Sequence, residues 1–309
     1  MCIRQAFGRV AHRLCWVGLP GWSTLCAVGK GWVFILIRSE FRYSISLEVL
    51  RKGSFRTLVM KLLIFGASGG TGRQLVERAL AQGHQVTAFV RDPAKLHLTH
   101  QNLRVAQGDA LRYDTVEPAV AGQDAVLSTL GIRPPVSAFI IITILCQLAV
   151  RFSLLPRLAV WFVALGIPLL ALLFLFRRNT KLSDATRNIV RAMEQHGVKR
   201  FICQSSLGVG DSRGKLGFLY NFLIIPLFLR GLFADKAVQE NLIRQSDLDW
   251  VIVRPTALTN GPRKGAYRAG SNIGHWFFPT KISRADTADF MLKQLTTTDY
   301  LRQTPGLAN

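Results

Sequence analysis

The sequence predicts an α/β protein with helices on both faces of a doubly wound parallel sheet, and three observations carry that reading. Strand-like and helix-like stretches alternate from Met60 onward. The first strand, KLLIFGA, is apolar throughout, as a strand buried on both faces should be. A glycine-spaced turn, GASGGTG, joins that strand to the first helix. The alternation is interrupted once, by an apolar stretch from Val136 to Phe176.

The elements follow in order. After KLLIFGA, the segment TGRQLVERALAQGH places Leu75, Val76, Ala79 and Leu80 on one helical stripe, and Gly83 ends it. QVTAFVR is a second strand, LRVAQGD a third and DAVLSTLG a fourth. Beyond the apolar stretch, SDATRNIVRAMEQHGV reads as a helix capped by Ser183 or Asp184. KRFICQSS is a fifth strand, DKAVQENLIRQS a helix, LDWVIVRP a sixth strand and ADTADFMLKQL a late helix.

Composition narrows the partners. A net charge of +21 on 309 residues favours an anionic partner. Basic blocks with interleaved aromatics are missing, which argues against nucleic acid and leaves a membrane surface or a phosphorylated small molecule. The hydrophobic content of 49% is high for a purely soluble enzyme. Cys2, Cys15, Cys26, Cys146 and Cys203 form no CxxC pair and have no histidine cluster beside them, so neither a metal site nor a disulfide framework is expected.

Residues 1–59 stand apart. They hold nine Lys or Arg against two acids, Glu40 and Glu48, and sustain no period of 2 or 3.6. They read as a basic N-terminal extension, with the working protein starting at Met60; a cleavable targeting segment is the other reading. The expected organisation is therefore an extension over 1–59, a dinucleotide-binding domain over 60–305, and an insertion within it over 133–179.

The glycine turn carries the first functional expectation. Gly66 permits the tight exit from the strand, Gly69 lets backbone approach a pyrophosphate, and Gly72 lets the helix pack close to the sheet. Ser68, Gly70 and Thr71 complete the loop at the helix N-terminus, where free N–H groups and a partial positive charge favour phosphate. The second strand ends FVRD. Arg91 suits the 2′-phosphate of NADP(H), with Arg73 as a second positive group, and Asp92 keeps NAD(H) open. Asp109, ending the third strand, is placed to accept from the adenine amino group. Thr129 and Gly131 end the fourth, where backbone would line the cofactor.

These motifs together resemble the atypical short-chain dehydrogenase/reductases. KLLIFGASGGTGRQLVERALAQGHQVTAFVRDPAKL, GDA, KRFICQSSLGVGD and LDWVIVRPTALTNGP are similar to the NAD(P)H-binding, NmrA-like group that includes the biliverdin-IXβ/flavin reductases. The resemblance covers most of 60–132 and 180–305 and implies a Rossmann fold with NADP(H) across the C-terminal edge of the sheet. It also implies that Ser205 and Ser206 lie near the nicotinamide, that Pro255 contributes backbone there, and that Lys236 occupies a position where some members place a lysine. Ser205, Ser206 and Lys236 are thus the catalytic candidates, the alternative for Lys236 being a solvated lysine at a helix start. The Tyr-x-x-x-Lys pair of the typical enzymes is missing, since Ile224 follows Tyr220 and Ser271 follows Tyr267 at that spacing. Ordinary alcohol dehydrogenation is therefore disfavoured, whereas reduction of a flavin or quinone is not.

The apolar stretch implies a membrane. Val136–Val150 and Leu158–Phe176, of 15 and 19 residues, make two limbs of a helical hairpin. They reach about 22 and 28 Å against a hydrocarbon core of about 30 Å. Both flanks must build one sheet, so the hairpin crosses an even number of times or lies in the surface. Arg133, Arg177, Arg178 and Lys181 at its base outnumber Arg151 and Arg157 in its turn, which puts the catalytic domain in the cytoplasm. A soluble lid or dimer interface is the competing reading. A second apolar run, Leu216–Phe233, follows the fifth strand and suggests a small hydrophobic substrate entering from lipid. The expectation is a membrane-attached NAD(P)H-dependent reductase of a quinone, flavin or lipid-like carbonyl; the alternative is a non-catalytic NADP(H)-binding sensor or assembly factor.

Overall fold

The computed structural model describes residues 22–23, 26–28, 31–33, 37–38, 59–131, 180–218, 221–222, 225, 229–275 and 280–309. The chain divides into two compact units, Met1–Arg56 and Thr57–Asn309. In the first, β1 (Trp22–Ser23) pairs antiparallel with β4 (Ile37–Arg38), and β2 (Cys26–Val28) with β3 (Gly31–Val33). The expected hairpin insertion over 133–179 lies outside the described residues.

The second unit is built on the alternation read from the sequence. Its elements run β5 (Lys61–Phe65), α1 (Gly70–Ala81), β6 (Gln85–Val90), β7 (Leu103–Gln107), α2 (Tyr113–Val120) and β8 (Ala125–Ser128). They continue with α3 (Lys181–Gln195), β9 (Arg200–Gln204), α4 (Arg230–Arg244) and β10 (Asp249–Pro255). Four three-residue strands and a helix complete it: β11 (Ala257–Thr259), β12 (Arg268–Gly270), β13 (Lys281–Ser283), α5 (Arg284–Lys293) and β14 (Gly306–Ala308).

The main sheet has eight strands in the order β12-β14-β10-β9-β8-β5-β6-β7. All neighbours are parallel except β12 against β14. The order reverses direction at β5, with β6 on one side and β8 on the other. This is a Rossmann-like doubly wound sheet, and its crevice lies outside the strand C-termini at that reversal. Alternate residues explain why both faces are covered. Leu62 and Ile64 of β5 pack in one core with Leu75, Val76 and Ala79 of α1 and Met291 of α5. Leu63 and Phe65 of the same strand pack in the other with Val116 of α2, Ile189 and Met193 of α3, and Ile243 of α4. Each such Val, Leu, Ile, Phe or Met side chain contributes roughly 1.5–3 kcal/mol by leaving water.

Helix ends show where local signals ruled and where they did not. Ser283 caps α5, its hydroxyl accepting from the Asp286 N–H at 2.9 Å. The cap expected at Ser183 or Asp184 is not used for α3: both residues fall inside its first turn, and Thr180 stands at the cap position without a side-chain bond. Instead Asp235 of α4 reaches across and accepts from the N–H groups of Leu182 and Ser183 at 2.9 and 3.1 Å. A carboxylate from a packed neighbour satisfies donors that the local sequence leaves open.

Candidate functional site

The parallel register brings the C-terminal ends of six strands, β5 to β10, to one edge. Phe65 pairs with Ser128, Ser128 with Cys203, and Gln204 with Val253. The residues that follow those ends form two unlike halves.

The first half is the β5–α1 turn. Gly66 sits at φ +75°, a left-handed conformation that favours glycine. A Cβ on Gly72 would lie 2.1 Å from the Gly66 carbonyl oxygen, so only glycine lets helix and loop approach this closely. The turn is closed by bonds from the Gly69 N–H to the Gly66 carbonyl and from the Arg73 N–H to the Gly69 carbonyl, both 2.9 Å. Thr129 locks it from β8: its hydroxyl donates to the Phe65 carbonyl at 3.0 Å. Gly69 caps α1 with no side-chain bond, and no acid occupies the first turn, so the positive end of the helix is uncompensated. This arrangement fits the pyrophosphate of a dinucleotide: Ser68, Gly70, Thr71 and Gly72 would hold it with backbone N–H groups, while Gly69, its own N–H spent on Gly66, lets the backbone approach. Gly131 is exposed at the end of the described segment.

The neighbouring strand ends separate the acidic and basic candidates. Arg91 is exposed just past β6. Asp92 is engaged locally, accepting from the Ala94 N–H at 3.1 Å and pairing with Lys95 at 3.1 Å. The Lys95 hydrogen bond holds its carboxyl below the usual range. The Arg73 guanidinium donates to the Lys95 carbonyl at 3.3 Å and so pins this loop beside α1. Asp109 accepts from the Leu111 N–H at 3.1 Å, which shapes the turn into α2.

The second half, at β8, β9, β10 and α4, is buried and polar. Ser205 is buried and its hydroxyl has no hydrogen-bond partner. The same holds for the hydroxyls of Ser128 and Thr256 and for the side-chain carbonyls of Gln204 and Gln239. Ser206 turns its hydroxyl to the Leu207 carbonyl at 3.2 Å. Pro255 ends β10, its carbonyl accepting from the Leu207 N–H at 3.0 Å. Lys236 corrects the solvated alternative: α4 begins six residues before it, at Arg230, and Lys236 is only 8% exposed. Burial pushes its pKa down, against the opposing pull of Cys203, Glu240 and Asp235. Burial likewise pushes the Cys203 thiol up to about 12, so it stays protonated and unreactive.

One side chain is placed for structure rather than for the cofactor edge. Arg254, in the RPT segment, is buried and forks onto Glu240 of α4 at 3.0 and 2.5 Å. It also reaches Asp211 at 2.6 Å. Burial works against its charge, and the two carboxylates outweigh that and raise its pKa. The pair ties β10, α4 and the loop after β9 into one frame around the unpartnered atoms. A tyrosine and a lysine do meet elsewhere: Lys293 donates to the Tyr267 hydroxyl at 3.0 Å. That pair packs on the α5 side, and burial raises the Tyr267 pKa, the opposite of what an acid catalyst needs.

A cavity of about 530 Å³ opens next to this half. Gly208, Val209, Ile225, Phe233 and Ala234 give it mostly apolar walls, and Arg213 stands at its rim. Gly208 and Ala234 are three residues after Ser205 and two before Lys236. Phe218 and Phe222 are exposed nearby in sequence, with ring centroids 4.8 Å apart. Among the described residues, no helix is long and apolar enough to cross a membrane, and no group of three or more His, Cys, Asp or Glu could hold a metal ion.

Sequence reasoning missed Gln204 and Gln239, and gave Ser128 and Thr256 only as backbone at the ends of their strands, without their side chains. Ser128, Gln204 and Thr256 had a signal available, a polar residue at or just past the end of an apolar strand; Gln239 had none.

Comparison with known proteins bears on the family and the fold. The family model described as NAD(P)H-binding matches residues 66–298. An uncharacterized chloroplastic protein of Arabidopsis thaliana is 27% identical over 241 residues, 75% of this chain and 71% of that protein. The photosystem II assembly factor Ycf39 of Synechocystis is 23% identical over 203 residues, which is 65% of this chain and 46% of Ycf39. Among solved structures, the anaerobilin reductase ChuY of Escherichia coli O157:H7 superposes with a TM-score of 0.57 at 22% identity, covering 80% of this chain and 96% of ChuY. That likeness shows the fold.

Proposed function

The chain belongs to the NAD(P)H-binding family, and from that premise we propose that it is a membrane-attached, NADP(H)-dependent reductase of a hydrophobic acceptor such as a quinone, a flavin or a lipid-like carbonyl. The observation that carries this reading is the buried polar half of the edge: Lys236 is buried within reach of the Cys203, Glu240 and Asp235 side chains, and the hydroxyls of Ser128, Ser205 and Thr256 at the adjoining strand ends have no protein partner. When bound, the reduced dinucleotide supplies a hydride; the acceptor must also gain a proton. Lys236 holds that proton at Nζ, and its depressed pKa brings release closer to neutral pH. Ser205 orients the acceptor through its hydroxyl, and Ser206 stands behind it. The apolar cavity walled by the loop after β9 and by Phe233 and Ala234 of α4 takes a hydrophobic body.

Cofactor choice follows from the β6 end. The exposed guanidinium of Arg91 suits a 2′-phosphate, and Asp92 is already occupied by Ala94 and Lys95. NADP(H) is therefore preferred, with Asp109 toward the adenine and Thr129, Gly131 and Pro255 along the edge. Attachment rests on the apolar segment 133–179 and on the exposed Phe218–Phe222 pair, with the catalytic domain facing the cytoplasm.

A second reading is a non-catalytic NADP(H)-binding assembly factor. The missing Tyr-x-x-x-Lys pair and the likeness to Ycf39 favour it. Full-length protein mixed with NADPH and a panel of quinones, flavins and lipid carbonyls separates the two. Loss of nicotinamide absorbance with one acceptor class supports the reductase; tight binding without turnover selects the assembly factor.

A further inference from the structure

We propose that a second basic groove, between α1, the start of α5 and the 260–263 loop, binds a phosphate-type oxyanion. The groove has a volume of about 410 Å³, and among its lining residues are Gly70, Gln74, Arg78, Asn260, Arg263 and Arg284; no carboxylate lines it. Gly70, Gln74 and Arg78 stand four residues apart and form one stripe of α1. The missing side chain at Gly70 lets Arg284 lie across the helix start: a Cβ there would come within 2.7 Å of both Cδ and Nε of Arg284. Asn260 then fixes the guanidinium, accepting from Nη1 at 2.7 Å. Arg263 is held by Asp289 through Nε at 3.0 Å, which leaves its terminal nitrogens free of that bond. Arg78 has the strongest need. Its Nε is buried with no hydrogen-bond partner, and its Nη2 reaches only Gln74, at 3.5 Å. A buried guanidinium donor without an acceptor is costly, and three guanidinium groups around one groove repel. A tetrahedral oxyanion answers both, since several of its oxygens accept forked N–H bonds at once.

The anion has two sources of the same chemistry: a phosphate of the bound dinucleotide that extends past Gly70, or a separate phosphorylated ligand. Calorimetric titration of the full chain with inorganic phosphate, in chloride of matched ionic strength, tests the site. Phosphate is expected to bind wild type and to raise its Tm, and the Arg78→Gln and Arg284→Gln variants to bind it about 10-fold more weakly each, one guanidinium contact per variant. Arg284→Lys, which keeps the charge and loses the fork, should fall between. Repeating the titration with saturating NADP(H) separates the sources: binding retained means a separate ligand, and binding abolished means the dinucleotide fills the groove. The proposal is overturned if wild type neither binds phosphate nor gains thermal stability from it. It is equally overturned if a folded double variant binds phosphate as well as wild type does.

Discussion

The two halves of the sheet edge are built on opposite principles. Around β5 and α1, the loop's internal bonds are closed: Thr129 bonds the Phe65 carbonyl, Gly69 bonds Gly66, and Arg73 bonds Gly69. Around β8, β9, β10 and α4, five buried oxygen-bearing groups have no partner, and α4 also buries a lysine near Cys203. A buried unmade hydrogen bond costs about 1–3 kcal/mol, so the second half carries a concentrated deficit at its strand ends, whereas the glycine turn closes its own bonds. Such a deficit is tolerated where a ligand or ordered water completes it. The closed half is a prebuilt cradle; in the proposed function, the open half holds its polarity for chemistry.

That contrast breaks most severely if the frame around the open half goes. Glu240→Ala leaves Arg254 buried with only Asp211, and a loss of about 3–5 kcal/mol is expected in chemical denaturation. Next comes the cradle. Gly72→Ala forces a Cβ against the Gly66 carbonyl, and calorimetry should show dinucleotide affinity falling about 100-fold while the fold is retained.

Lys236→Met sharpens the comparison from the other side. Removing a buried charge should stabilise the protein by about 1–2 kcal/mol, read as a raised Tm. The sign with pH follows from its depressed pKa. Between the folded value and the unfolded value of about 10.4, the unfolded chain holds more protons, so wild-type stability rises with pH in that window. The advantage of the variant is therefore greatest at the acid end and narrows as pH climbs. The smallest effect is at the periphery: Arg91→Ala should cut the preference for NADP(H) over NAD(H) about 10-fold without moving NAD(H) affinity, measured by competition binding.

The fold was legible wherever long elements carried their own signals. The apolar strands, the Leu75–Leu80 stripe and the glycine turn stand in the structure where the sequence put them. What was illegible is non-local or short. β11 to β14 have three residues each and no period to read. The cap of α3 comes from Asp235, more than fifty positions away. Lys236 looked like a solvated helix start because the apolar run before it hid where α4 begins; the structure starts that helix at Arg230 and buries the lysine. Arg254 sits in LDWVIVRPTALTNGP with no signal of its own, and only packing against Glu240 reveals its role.

The most direct test of the open half as the chemical half is steady-state NADPH oxidation by Ser205→Ala and Lys236→Met with whichever acceptor the panel selects. The account predicts that kcat falls about 100-fold in Lys236→Met and less in Ser205→Ala, with KM for NADPH within about threefold of wild type. Unchanged kcat in both variants, or a rise in KM for NADPH that accounts for the whole loss, would contradict it.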